Sequence, residues 1–262
     1  MIFIYLESKS PMNRQATFGV WARLLAITTV LAGMSAVRAE SPEGFQRLFN
    51  GNNFDGWIVP EGDNGHWRIV DGVIDYDAQS EAPGDKNLWT EKEYGDFILR
   101  VDWRIKATPY VNPNVRLIKP DGTHKRNEHG EEIKMAVPDS DSGIFLRGQG
   151  KSQVNIWCWP VGSGEVYGYR MDRSMPAKVR AAVTPKLHAD KDIAEWNTFE
   201  ITMKGDRLWV KLNNVVVIEN AQLPDIPLRG PLALQHHGGK RNGQWASPPA
   251  LVQFRNIAVK EL

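Results

Sequence analysis

The sequence has 262 residues, a formal net charge of +1 and one cysteine. Basic and acidic residues are interspersed without a Lys/Arg run, which argues against a nucleic-acid partner or an anionic membrane surface. The single Cys158 excludes an internal disulfide. Its place among apolar residues favours a small buried side chain over a nucleophile.

The first 39 residues are predicted to be a secretory signal. Scattered basic residues precede an apolar run, Leu24–Ala36, and the small-x-small sequence Val37-Arg38-Ala39 follows it. The run is too short for a membrane span and ends in small residues, so we expect cleavage after Ala39. The prediction is an exported protein, periplasmic or secreted, with no integral membrane span after processing. Residues 40–262 are expected to form a single domain.

Short extended segments separated by turns follow in the rest of the chain. The predicted strands and hairpins include Trp67–Tyr76, Phe97–Ile105, Trp196–Lys204, Arg207–Leu212, Val215–Glu219, Leu232–His237 and Leu251–Glu261. Asp71-Gly72 is a strong hairpin turn signal within the first of them. In Phe97–Ile105 apolar residues alternate with mostly charged ones, which predicts one buried face. The pattern as a whole predicts an all-β fold, a jelly-roll β-sandwich with a concave ligand-binding face.

Two segments interrupt this rhythm. Lys106–Pro138 has no sustained period, and a loop of that length is either a functional lid or binding loop or a surface insertion. Met171–Ala194 is predicted to be an irregular connection that contains a helical turn.

The stretch from Asp139 to Arg170 is the most informative one. It reads as two short strands and a Gly-rich approach to a third. From position 153 to 159, alternation puts one set of side chains on a single face: Gln153, Asn155, Trp157 and Trp159. Amides and flat rings displayed together suit the hydroxyls and the C–H face of a sugar. In the alternative interpretation the Trp residues are buried in a second layer and the amides lie on a solvated rim.

Familiar catalytic patterns are missing. Asp139 and Asp141 have the spacing of a glycosidase carboxylate pair, but they precede Ser-Gly at a strand entrance and look like turn or hydrogen-bonding residues. The histidines form no zinc-type cluster. If the leucines of Leu232–His237 pack inward, Gln235 and His237 face outward with the amides. His237 then suits proton transfer, or is a hydrogen-bonded structural residue.

Several segments together resemble one known family. They are Leu48–Trp57, Trp67–Val73, Leu88–Ile105, Ser142–Arg147, Glu195–Ile201, Gly230–His237 and Phe254–Leu262. They are similar, in order, to the 3-keto-disaccharide hydrolase domain family, long called a domain of unknown function. The resemblance covers nearly all of residues 40–262. It implies a concanavalin A-like jelly roll of the lectin/glucanase type and a protein that acts on 3-keto-glycosides.

The sequence departs from the family pattern at three places. Gln153-Val154-Asn155 stands where a Glu-x-Gln strand is usual, and Gln235-His236-His237 stands where Gln-Asp-His is usual. The insertion at Lys106–Pro138 is also longer than typical. The missing Glu leaves two hypotheses open: an enzyme that cleaves 3-keto-glycosides, or a non-catalytic, lectin-like carbohydrate-binding module.

The chemistry implied by the resemblance assigns roles to particular residues. A C3 ketone acidifies the C2 proton, so one base and one enolate stabiliser suffice for β-elimination or net hydrolysis. The hypothesis takes His237 as base or acid, Arg147 as a cation beside the carbonyl, and Glu165 or Tyr167 as proton partner. The residues expected to position a carbohydrate substrate are Gln153, Asn155, Trp157 and Gln235. Structural calcium is compatible with such a fold, but the sequence shows no ligand set for any metal.

Overall fold

A computed structural model describes residues 44–262 as antiparallel β-sheets with two short helices; the predicted export signal lies outside this range. In chain order the elements are β1 (Gln46–Arg47), β2 (Trp57–Ile58), β3 (Trp67–Val70), β4 (Val73–Tyr76), β5 (Leu88–Tyr94), β6 (Phe97–Ile105), β7 (Tyr110–Arg116), β8 (Lys134–Asp139), β9 (Ser142–Leu146), β10 (Gln149–Ile156), α1 (Tyr167–Met171), α2 (Ala177–Ala182), β11 (Asn197–Lys204), β12 (Arg207–Leu212), β13 (Val215–Gln222), β14 (Gly230–Leu234), β15 (Gly239–Arg241), β16 (Gln244–Ser247) and β17 (Val252–Glu261).

The larger sheet has the strand order β13-β12-β11-β6-β17-β4-β3, and β1 also pairs with β17. Its central strand β6 is buried at every second residue, as the alternation predicts. The turn between β3 and β4 is made by Asp71 and Gly72, both with positive φ, which is the geometry that Asp-Gly hairpins favour. The predicted hairpins β3–β4 and β11–β12 are both present.

The smaller sheet has the order β10-β9-β14-β5-β2. Its inner side chains pack with those of the larger sheet in one core cluster; from β9, β10 and β14 they are Ile144, Leu146, Val154, Ile156, Leu232 and Leu234. Two antiparallel sheets around one core are the predicted all-β jelly-roll sandwich. Within residues 44–262, neither helix is long and apolar enough to cross a membrane.

The segment predicted as a loop at Lys106–Pro138 is an ordered β-ribbon instead. Strands β7 and β8 pair from Tyr110↔Asp139 to Arg116↔Lys134, and the residues beyond them fold into a tip with two further bridges. The register shifts between Asn112 and Val115, next to Pro113, so no simple period is visible in the sequence. We refer to residues 110–139 as the ribbon arm, with its base at Asp139 and its tip at residues 117–133.

Two further details of the sequence prediction are wrong. The Gly-rich approach to a third strand leads into helix α1, because the carbonyl of Val166 accepts bonds from the N–H groups of Tyr169 and Arg170. The strand expected to reach His237 ends at Leu234. Beyond it the His236 N–H donates to the side chain of Asn87 instead of continuing the ladder.

Candidate functional site

The outer face of the smaller sheet carries an ordered row of side chains. Phe145 pairs with Ala233 across β9 and β14, and Gln235 N–H donates to the carbonyl of Gly143 at 2.9 Å. Just beyond the strand ends, Asp141 before β9 and His237 after β14 extend the same two-residue spacing, and their side chains approach to 4.0 Å. The outer surface therefore runs from an apolar end at Phe145 through amides to a carboxyl and an imidazole.

The apolar end is a pair of rings. Trp89 and Phe145 lie on either side of Ala233 with ring centroids 5.7 Å apart and an interplanar angle of 16°. The indole N–H of Trp89 donates to Asp85 at 2.6 Å, which fixes the ring. Offset stacked rings of this kind provide a rigid apolar floor next to the amides.

Two of the predicted substrate residues meet in the centre of this face. Gln153 reaches across β9 and donates its Nε2 hydrogens to Oε1 of Gln235 and to the Ser142 carbonyl. It passes directly over Gly143, where a β-carbon would collide with the amide. Because Oε1 of Gln235 accepts a hydrogen bond from Gln153, the Nε2 group of Gln235 remains available to donate to a ligand.

Asn155 lies on the same face, beside Gly143 in the ladder register. Its side chain is almost fully buried, yet its amide forms no hydrogen bond within the described residues. Its backbone is fixed on both sides, because the Asn155 N–H donates to the Glu165 carbonyl and the Gly164 N–H donates to the Asn155 carbonyl. A buried amide in this state can take up a ligand hydroxyl or oxyanion.

His237 is held in a defined tautomer. Its Nδ1 lies 2.6 Å from the Pro248 carbonyl, which only accepts hydrogen bonds, so the proton of the neutral ring sits on Nδ1. The Ala250 N–H donates to the His237 carbonyl at 2.9 Å. Next to it Gly238 has φ +93°, and a β-carbon there would lie 2.7 Å from Cα of Pro249. The Nε2 lone pair is therefore left without a hydrogen-bond partner within residues 44–262.

Asp141 faces this lone pair, with Oδ2 4.0 Å from Nε2 of His237. Burial raises the pKa of the Asp141 carboxyl well above its usual range, the nearby Asp139 adds to the rise, and His237 opposes it. The backbone N–H of Asp141 donates to the Pro249 carbonyl, so one loop anchors both residues. A carboxyl that holds a proton near neutral pH is a candidate acid next to a candidate base.

Asp139 lies beneath the pair and is fully buried. It accepts hydrogen bonds from Asn112 on the ribbon arm, from the indole of Trp159 and from the Cys158 N–H. Burial nevertheless raises the pKa of the Asp139 carboxyl. This matches the sequence interpretation of Asp139 as a hydrogen-bonding residue, and it joins the base of the ribbon arm to the sheet.

The neighbouring histidine points the other way. His236 lies with its Nδ1 2.6 Å from the hydroxyl of Tyr76, and burial lowers the pKa of its ring to about 4. Adjacent residues on an extended chain face opposite sides, so only His237 reaches the outer face, as the sequence predicts.

The structure does not bring the other three predicted catalytic residues to His237. The guanidinium of Arg147 is buried at the opposite end of β9, where it donates to Gly95, Gly205 and Pro227 carbonyls and to Asp96. Arg147 has φ +52°, so the two-residue alternation of β9, which would put it on the face of Phe145, does not extend to it. All of these partners are structural, and the assignment of Arg147 to the site is a misplacement.

Glu165 lies beyond β10, three strand positions from His237, or roughly 14 Å at normal strand spacing. It is fully buried, pairs with Arg170, and burial raises its pKa to about 7. Tyr167 is half exposed on α1 and lies edge-on to Trp157 and Trp159. Both residues therefore sit at the flank of the amide face.

Trp157 is buried beneath the outer face and packs against Trp159 instead of forming part of the exposed surface. Its ring stacks on Trp159 at 4.2 Å, its Nε1 donates to the Gly162 carbonyl, and only 3% of it is exposed. This agrees with the alternative interpretation, in which the Trp residues are buried. The sequence prediction that its face meets a sugar is not realised.

Asp141 and the ring pair were missed from the sequence. The signal for Asp141 was present, since Phe145, Gly143 and Asp141 are two residues apart and must share a face. In residues 44–262, no group of three or more His, Cys, Asp or Glu side chains is arranged to hold a metal ion. Calcium binding stays a prediction, for which these residues provide no cluster of ligands.

The fold and the outer face together define a jelly-roll protein of the carbohydrate-active class. Residues 44–260 match the model of the 3-keto-alpha-glucoside-1,2-lyase-like domain, and the chain belongs to this family. The family assignment agrees with the resemblance found in the sequence.

Solved structures show the same fold. One is described as a "putative glycosyl hydrolase" from Parabacteroides distasonis; it is 20% identical, covers 84% of this chain and 85% of its own, and has a TM-score of 0.54. A second from the same organism, with the same description, is 19% identical, covers 84% of this chain and 94% of its own, and has a TM-score of 0.52. No curated protein matches the chain in sequence.

Proposed function

We propose that the protein cleaves the glycosidic bond of 3-keto-glycosides by removing the C2 proton and eliminating the C1 substituent. The observation that carries the proposal is the pair formed by His237 and Asp141. An imidazole with an outward lone pair faces a carboxyl of raised pKa across 4.0 Å, on the face that displays the amides. Family membership supports the substrate class.

The proposed reaction uses one base and one acid. Nε2 of His237 takes the C2 proton, and the electron pair of the C–H bond moves into an enolate on the C3 oxygen. The enolate then reforms the ketone, a C1–C2 double bond forms, and the bond from C1 to the aglycone oxygen breaks. Protonated Asp141 gives its proton to the departing oxygen. Addition of water across the new double bond would make the net reaction a hydrolysis.

The amides provide the enolate stabiliser in this proposal. The Nε2 group of Gln235 is free to donate because its Oε1 is occupied by Gln153, and the amide of Asn155 has no partner within the described residues. The Gln235 amide is fixed by Gln153 before the substrate arrives, and the backbone of Asn155 is fixed on both sides, which favours the stabilisation of developing charge. The stacked Trp89 and Phe145 offer an apolar floor for a sugar ring.

A lectin-like binding module is the second candidate. One observation favours it: position 153, which usually carries an acid in the family, holds a glutamine whose amide is consumed by Gln235 and Ser142. Under this hypothesis the face holds a sugar without proton transfer.

Product analysis separates the two candidates. The protein would be incubated with a panel of 3-keto-glucosides and the products followed by NMR and mass spectrometry. The proposal expects free aglycone together with a 2-hydroxy-3-keto-glycal or its hydration product. Measurable binding without any product would contradict the proposed enzymatic activity and favour the lectin-like binding module.

His237→Ala tests the base directly. Turnover should fall by about 10²-fold or more while binding of the sugar persists. His129→Ala is the matched control, because that imidazole is exposed at the tip of the ribbon arm. Equal loss in both variants, or none in His237→Ala, would remove His237 from the mechanism.

We also propose that the protein works after export, on the basis of the predicted signal in residues 1–39. The N-terminal sequence of the mature protein tests this. It should begin at Glu40, and an intact N-terminus in a cytosolic fraction would contradict export.

A further inference from the structure

A second concave region lies between the tip of the ribbon arm and the two helices. It is a cleft of about 710 Å³, lined from the arm by Lys119, residues 122–126 and Glu132 and from the helical side by Arg170, Met171, Arg173 and Arg180. Its cationic side chains are Lys119, Lys125, Arg126, Arg170, Arg173 and Arg180. Glu132 is the only carboxylate on the lining. In a protein of net charge +1, this concentration of positive charge in one concavity is distinctive.

Three of these cations have no counter-charge among the residues that the structure describes. Within residues 44–262 the side chains of Lys125, Arg173 and Arg180 form no hydrogen bond or ion pair with the protein. Nε of Arg180 is also buried and unpartnered. A buried donor without an acceptor is costly, so an acceptor from outside the protein would improve this position.

Arg170 provides a fixed charge at the inner end of the cleft. Its side chain is buried, its Nε pairs with Glu165, and its Nη1 lies 3.2 Å from Nε2 of His124. His124 in turn contacts Glu132 through Nδ1 at 2.8 Å. This chain of contacts orients the guanidinium before any ligand binds, and Arg is the residue best shaped to hold a planar or tetrahedral oxyanion.

The two walls of the cleft are joined to each other. Gly122 at the arm tip has φ +79°, and a β-carbon there would lie 2.8 Å from the Arg180 carbonyl. Lys186 donates from Nζ to the carbonyls of Pro120 on the arm and Ala181 on α2. The cleft therefore lies between two elements that contact each other directly.

Side-chain contacts link the inner end of the cleft to the flank of the amide face. The guanidinium of Arg170 lies over the ring of Tyr167, 5.4 Å from its centroid, and Tyr167 lies edge-on to Trp159 at 6.5 Å. Trp159 donates to Asp139, which lies beneath the proposed acid and base. This series of contacts places the cleft next to the flank of the amide face.

We propose that this cleft binds a negatively charged substituent of the carbohydrate ligand, a carboxylate, sulfate ester or phosphate ester. The inference rests on the proposed function only in that the ligand is a carbohydrate. The cations would neutralise the substituent and so select charged glycans over neutral ones.

Binding of sugars that lack a 3-keto group tests the inference separately from turnover. The probes are a glucuronate-containing disaccharide, a 6-sulfated disaccharide, the neutral disaccharide, and inorganic sulfate and phosphate, compared by calorimetry at constant ionic strength. We expect the charged disaccharides to bind at least about tenfold more tightly than the neutral one and than either inorganic ion. Equal binding of charged and neutral sugars would overturn the proposal. An inorganic ion that binds as tightly as the charged sugars would overturn the assignment to a sugar substituent.

Variants locate the binding in the cleft. Arg173→Gln combined with Arg180→Gln should weaken binding of the charged disaccharides by about tenfold or more and leave the neutral disaccharide unchanged. Arg180→Gln alone is compared with Lys178→Gln as its matched control, since each removes one positive charge from α2 and Lys178 lies outside the cleft lining. Unchanged affinity in the double variant, or equal loss in the control, would contradict a specific site. These measurements stand whether or not the protein turns over a 3-keto-glycoside.

Discussion

Gln153 lies directly across Gly143 to reach Gln235, and a side chain at position 143 would occupy the space of its amide. The two amides therefore form one unit that spans three strands, β10, β9 and β14. Further hydrogen bonds hold this unit: Nε2 of Gln153 also donates to the Ser142 carbonyl, and the backbone N–H of Gln235 donates to the Gly143 carbonyl.

Gly143→Ala should break this unit. We expect the free energy of unfolding to fall by about 1–3 kcal/mol, because the new methyl group overpacks a closed site. Sugar binding should weaken as well, since Gln235 loses its orientation. Urea denaturation and calorimetry measure the two effects. Gly150→Ala is the control: nothing lies near a β-carbon there, so its stability should stay within about 0.5 kcal/mol of the native protein.

Asp141→Asn should lower turnover and raise stability. The folded state raises the pKa of Asp141, so it holds a proton that the unfolded chain releases above about pH 4. As the pH rises from about 4 towards the raised pKa, this carboxyl therefore lowers the free energy of unfolding. The side chain of Asn does not titrate, so the substitution removes this loss. At pH 8 we expect a gain on the order of 1–3 kcal/mol, and none at pH 3.5. Chemical denaturation at both pH values checks this, and a loss of stability at pH 8 would contradict the raised pKa.

His236 should give the opposite dependence on pH. Burial lowers the pKa of its ring to about 4, below that of the unfolded chain, so its contribution is complete above about pH 6.5 and is lost as the pH falls towards 4. Between pH 6.5 and pH 4, the free energy of unfolding of His236→Gln should fall less than that of the native protein, by about 1–3 kcal/mol. The exposed His129→Gln should retain the native dependence.

Arg147→Gln should destabilise the fold without altering the site. The buried guanidinium holds three carbonyls and Asp96, so its loss should cost about 3–5 kcal/mol in the free energy of unfolding. Because Arg147 lies at the far end of β9, the KM of the remaining folded protein should be unchanged. Arg100→Gln, which removes a surface ion pair with Glu200, should cost at most about 1 kcal/mol. A raised KM in Arg147→Gln at full folding would return Arg147 to the site.

Strand periodicity carried much of the prediction. The alternation in Phe97–Ile105 is realised residue by residue, and the outward direction of Gln153, Gln235 and His237 follows from the same rule. The rule fails where backbone geometry changes. Arg147 has a left-handed backbone, so its guanidinium turns inward and no pattern of neighbours reveals it.

Contacts between distant segments could not be predicted in this way. Glu165 and Arg170 are five residues apart and pair only because α1 forms between them. The ribbon arm was hidden because a register shift beside Pro113 disrupts its alternation. Asp141 looked like a turn residue because its partner His237 lies nearly a hundred positions later, in the segment that follows β14.

The ribbon arm is one continuous piece of chain with two different ends. Its base inserts Asn112 and Asp139 under the proposed acid and base, while its tip forms a wall of the cationic cleft. Reactivity and selectivity are thus assigned to opposite ends of a single hairpin. Under the two proposals, changes in the length or charge of the tip would alter which glycans bind without changing the residues proposed to move the proton.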